Sequence, residues 1–152
     1  MLVALVGNVA SREGLALIEA AERMDRRRLG KCVVYDADVD ALTLLDWAKD
    51  EGASTILVVF PSSGMAREPG VYHVSDHAPL PERSLETSEL VRDIWMNLTG
   101  SLMPNDYVRA LRVLSNIPFS VYECTPRNGD CIGVLEEWLG EVCLDKDSGN
   151  GK

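Results

Sequence analysis

A chain of 152 residues with 46% hydrophobic content is the size of one compact domain with its own core. Its 15 basic and 24 acidic residues leave a formal charge of −9, which repels a phosphate backbone and argues against nucleic acid as a partner. The apolar runs Leu2 to Val6 and Ile56 to Phe60 are five residues each, against the roughly 20 that a membrane-crossing helix needs.

The first run follows Met1 directly, without a basic segment or a small-residue cleavage site, and is expected to be the first strand rather than a secretion signal. A cytoplasmic location is expected on that basis. Ser11 is a good N-cap, and Leu15, Ile18, Ala21 and Met24 predict a first helix. Arg26, Arg27 and Arg28 read as the C-terminal turn of that helix, where cations complement the dipole, with Gly30 ending the connection. Cys32 to Tyr35 is the second expected strand. Asp40 is placed to cap a second helix, carrying Leu44, Leu45 and Trp47 and stopping at Gly52.

Ile56 to Phe60 is the third strand, and Val71 to Val74 the fourth. Only ten residues separate Val71 from Phe60, too few for a crossover helix, so the fourth strand must pair antiparallel or extend an edge. A third helix is expected from Ser84 or Thr87 to Gly100 through Leu90, Val91, Ile94 and Leu98. A fourth opens near Pro104 and carries Tyr107, Leu111 and Leu114. Phe119 to Cys124 is the last strand, and Ile132 to Cys143 the last helix, with Leu135, Trp138, Leu139 and Val142 on one stripe. The alternation predicts a three-layer α/β/α fold: a mixed, mainly parallel sheet of about five strands with helices on both faces. Residues 1–144 form the expected domain, and 145–152 a polar, disordered tail.

In such folds, sites gather where parallel strands end. The loops concerned are Gly7 to Arg12, Asp36 to Asp40, Pro61 to Arg67 and Thr125 to Asp130. Ser62 and Ser63 invite comparison with a nucleophile turn, but GxSxG is absent and Glu68-Pro69-Gly70 leads into another extended run instead of a helix. A phosphate cradle fails for the same reason. Gly7-Asn8 does precede a helix, without GxGxxG. His73 and His77 are expected to be solvent-exposed strand-end residues. The carboxylates Glu13, Asp36, Asp38, Asp40, Glu86 and Glu89 suit helix capping, first-turn dipole compensation or a divalent metal equally well. The four cysteines contain no CxxC pair and are expected to be reduced core or loop thiols, although Cys124 and Cys131 flank a loop and could meet as a disulfide or metal clip.

Several of these segments together resemble one family, the hydrogenase maturation proteases that trim the C-terminus of the nickel-iron hydrogenase large subunit. Gly7-Asn8 is similar to that family's opening GN. Asp36-Ala37-Asp38-Val39-Asp40-Ala41-Leu42-Thr43-Leu44-Leu45 runs in register with DGGTxGLxLL, Glu68-Pro69-Gly70-Val71-Tyr72 resembles EPGTxY, and Val121-Tyr122-Glu123-Cys124-Thr125-Pro126 resembles the last strand and its Gln-Pro exit. The match spans residues 1–143.

The resemblance implies a metal-dependent site that reads nickel in the precursor. Its ligands are an acidic residue after GN, an aspartate ending strand three and a histidine near the next helix start. Glu13 can take the first position. The second falls on Pro61 and the third on Glu86, so one ligand is absent and a carboxylate replaces an imidazole. The implied set is then Glu13 and Glu86, with Asp38 a replacement, for nickel or another divalent cation; Asn8, Asp36, Asp40, Ser62 and Ser63 line the loops that would meet substrate or partner. Two functions follow: a divergent metal-dependent endopeptidase acting on the hydrogenase large subunit, or a non-catalytic relative that docks that partner or binds a small molecule.

Overall fold

The computed structural model describes residues 1–62, 67–79 and 104–144. Ten elements run in the order β1 (Leu2–Leu5), α1 (Arg12–Met24), β2 (Arg28–Leu29), β3 (Cys32–Asp36), α2 (Ala41–Asp50), β4 (Ile56–Pro61), β5 (Gly70–His77), α3 (Pro104–Leu114), β6 (Phe119–Thr125) and α4 (Ile132–Cys143). The six strands form one sheet in the order β2-β3-β1-β4-β6-β5. The four central strands are mutually parallel, while β2 and β5 are antiparallel edges. This is the expected mixed α/β fold, and β5 takes the antiparallel place that the short connection demanded.

Side-chain alternation splits the sheet's apolar residues between two cores. On one face Leu2, Ala4, Val6, Ile56, Val58 and Phe60 pack with α2 and α3, through Leu44, Ala48, Tyr107 and Leu111. On the other, Val3, Leu5, Val34, Leu57 and Val59 pack with α1 and α4, through Leu17, Met24, Leu135 and Leu139. Burial on both faces explains why β1 and β4 are continuous apolar runs rather than alternating ones. Among the described residues no helix is long and apolar enough to cross a membrane.

Three expectations need correction. Arg26–Arg28 is not a helical turn: α1 stops at Met24, Arg26 takes φ 62°, and Arg28 and Leu29 pair with Val33 and Cys32 as an edge hairpin. The left-handed Arg26 is held by stacking, its guanidinium lying 4.7 Å from the Tyr35 ring centre. The sheet therefore has six strands instead of about five. Second, the cysteines are not all reduced, because Cys32 and Cys143 form a disulfide that ties the start of β3 to the end of α4. Third, only His73 of the two histidines is exposed, since His77 is half-buried and stacked 4.8 Å from Phe119. The expected third helix and the tail from residue 145 lie outside the described residues.

Candidate functional site

The carboxyl ends of the parallel strands lie side by side. Leu5 is in register with Asp36 on one side and Val59 on the other, and Pro61 with Cys124. Strand order reverses between β1 and β4, and sheets of this kind bind ligands outside the strand exits at such a switch point. Asn8 and Ser62 follow the ends of these two strands.

The loop after β1 is fixed by small residues. A Cβ on Gly7 would stand 2.6 Å from Ile18 Cγ1 and 2.8 Å from its backbone nitrogen, and one on Gly14 would collide with the Asn8 carbonyl and side chain. Gly14 N–H donates to Ser11 Oγ at 2.9 Å, the cap that starts α1, and Ala10 N–H donates to Asn8 Oδ1 at 3.0 Å. Asn8 is thus committed to shaping its own loop. Glu13, half-buried, follows in the first turn of α1.

The loop after β3 gathers acids. Asp40 caps α2, accepting from Thr43 N–H at 2.8 Å. Asp36 donates its N–H to Asp25 Oδ1 at 2.8 Å. Its own carboxyl is pushed above the ordinary aspartate range by burial, reinforced by Asp25, Asp38 and Glu22 and opposed by the Asp38 amide. Asp38 is exposed, and Ala37 between them is fully buried. Behind this loop lies Tyr107, whose hydroxyl donates to the Ala37 carbonyl at 3.5 Å and whose ring meets Phe60 edge-on at 5.9 Å. Burial, then Asp40 and Asp38, push that phenol up, so it stays a neutral donor.

The exits of β4 and β6 are dry. Ser62, expected to line a partner-facing loop, is 9% exposed, and its N–H extends the ladder to the Cys124 carbonyl at 3.1 Å. Thr125, also 9% exposed, has a hydroxyl oxygen without a hydrogen-bond partner among the described residues. Sequence reasoning placed Thr125 at the start of a strand-end loop but gave its side chain no role; only the packing of separate loops makes its hydroxyl unusual. Beyond it, Arg127 and Asp130 exchange backbone hydrogen bonds at 3.0 Å across a turn in which Asn128 and Gly129 have positive φ. At the same end Gly70 pairs with Thr125, bringing Glu68-Pro69-Gly70 beside the β6 exit.

Of the residues singled out from sequence, Asn8, Glu13, Asp36, Asp38, Asp40 and Ser62 therefore come to one end of the sheet. Ser63 and Glu86 lie outside the described residues, as does Glu89. Among the described residues no three His, Cys, Asp or Glu side chains stand together as a metal set. Pro61, buried at the end of β4, offers no donor. The donors left by the family pattern are all carboxylate oxygens, which suit a harder cation than nickel, so the residues do not fit the nickel-reading site of that pattern. His73 and His77 are no substitute, because β5 runs antiparallel and carries them toward the amino end, where His77 faces Phe119.

No family model matches the chain, and no curated protein matches its sequence. Among solved structures it is similar to a hydrogenase 3 maturation protease, at 15% identity and a TM-score of 0.43 over 83% of this chain and 72% of that one. It is also similar to a pyrrolidone carboxyl peptidase from Thermococcus litoralis, at 9% identity and a TM-score of 0.41 over 80% and 74%. At these values neither likeness bears on activity.

Proposed function

We propose that this chain is a divergent hydrogenase-maturation-protease-like protein that docks the C-terminal region of a nickel-iron hydrogenase large subunit at the carboxyl end of its sheet. The observation that carries this reading is convergence. Gly7-Asn8, Asp36 to Asp40, Glu68 to Gly70 and Thr125-Pro126, which carry the family resemblance and are scattered over the chain, all meet at one end of the sheet. Two features there favour a partner: the Thr125 hydroxyl is buried and unpaired among the described residues, and Asp36 sits among like charges.

Docking is favoured over processing by Pro61, which removes a side-chain ligand at the strand end where the family carries an aspartate. Were the chain also to trim its partner, Glu13, Asp38 and Glu86 would be the carboxylates available to hold a divalent cation. Co-expression with a large-subunit precursor tests the reading. The expected outcome is a recoverable complex in which the precursor keeps its C-terminal extension. Loss of the extension, abolished by Glu13→Ala, would instead support the endopeptidase, and absence of both complex and trimming would overturn the docking reading.

A further inference from the structure

Two core thiols to which the docking reading gives no role lie in contact. Cys124 Sγ and Cys131 Sγ are 3.4 Å apart, and both residues are fully buried. Cys124 is the penultimate residue of β6, and Cys131 occupies the N-cap of α4, where it makes no side-chain capping hydrogen bond. Between them runs the exposed turn closed by Arg127 and Asp130. The contact with Cys131, then burial, pushes the Cys124 thiol up, so it is a poor candidate for a resting thiolate nucleophile. The reactive group nearest each sulfur is the other sulfur.

The remaining two cysteines show what that proximity can become. Cys143, at the far end of the same helix, is already bonded to Cys32. We infer that Cys124 and Cys131 are a site of reversible covalent modification, closing to a second disulfide that clamps the amino end of α4 to β6 and fixes the turn at the carboxyl end of the sheet. Closure needs the sulfurs to approach from 3.4 Å to the roughly 2 Å of a disulfide bond, a movement within reach of side-chain rotation. With a glutathione disulfide as oxidant, the thiolate of one cysteine attacks a glutathione sulfur and releases one glutathione thiol. The second cysteine then attacks the mixed disulfide and releases another. Two protein thiols are oxidised, one glutathione disulfide is reduced to two thiols, and the two protein protons pass through solvent to the departing glutathione sulfurs. Because both cysteines are buried, the turn must open for the first step, so the reaction is slow and its rate reports that opening.

The inference stands apart from the docking reading, since it concerns only these two sulfurs. The full chain is equilibrated with oxidised glutathione under native conditions, unfolded in an alkylating trap, weighed intact and mapped without reduction. Before oxidation, two alkylated cysteines are expected, Cys124 and Cys131; afterwards none, with a Cys124–Cys131 linked peptide. Tryptic cleavage after Arg127 should also slow several-fold on oxidation, and should not do so in Cys131→Ala. Two thiols still free at equilibrium, glutathione persisting on either cysteine, or linkage of Cys124 to Cys32 or Cys143 would overturn it.

Discussion

The two ends of the sheet are built differently. At the amino end, charged and polar groups are answered within the chain. Glu51 accepts from the Tyr35 hydroxyl at 2.5 Å and from Arg28 at 2.9 Å, which hold its carboxyl below the usual range. The Met1 ammonium donates to the Lys31 carbonyl at 2.6 Å, and the Cys32–Cys143 disulfide closes that end covalently. At the carboxyl end the Thr125 hydroxyl has no partner among the described residues, and burial, reinforced by like-charged neighbours, raises the Asp36 carboxyl. Folding by itself favours the first kind of end; the second makes sense where something else supplies the missing interactions.

The largest expected effect is at the closed end. The Cys32–Cys143 bond spans 111 positions, and the chain-entropy estimate for a loop of that order is roughly 4 to 5 kcal/mol. Chemical denaturation of the Cys32→Ala, Cys143→Ala double variant should show a loss of that order, whereas a loss near zero would mean that this end is held by packing alone. Next is Gly14→Ala, whose new methyl would drive into Asn8; overpacking against backbone costs roughly 3 kcal/mol, visible as a lower Tm, and should distort the docking loop.

Thr125→Val keeps the shape and removes the orphaned hydroxyl. It should stabilise the free chain by about 1 kcal/mol while weakening partner binding, opposite signs that a purely structural threonine would not produce. The smallest effect concerns pH. Because Asp36 has a raised folded pKa, the folded state holds its proton more tightly than the unfolded chain does. Its ionisation therefore costs stability as pH rises through the interval between the unfolded and folded values. Asp36→Asn should be more stable than wild type at neutral pH, with the advantage vanishing as pH falls below the ordinary aspartate range. Thermal melts across that range read the sign.

Much of the framework was legible in the residues. Ser11 and Asp40 cap α1 and α2 as their types suggested, and the apolar stripes of α3 and α4 run where helical periodicity placed them. The edge β2 was not, because two residues are too few to carry a pattern and the Arg triplet mimics a helix end. β5 was read too short: a register shift between His73 and Ser75 breaks the two-residue alternation that would have revealed its continuation to His77. The pairing of Cys32 with Cys143 is invisible to spacing, since it depends on α4 running back to the start of β3. At the site, the loops could be named from strand ends alone, but the state of Thr125 depends on packing among loops that only tertiary structure brings together.

Hydrogen exchange on the full chain, alone and with a hydrogenase large-subunit precursor, tests the docking account most directly. The account predicts added protection in residues 7–12, 36–40 and 125–131 and none in residues 28–33 and 51–55. Unchanged exchange throughout, or protection confined to the amino end, would contradict it.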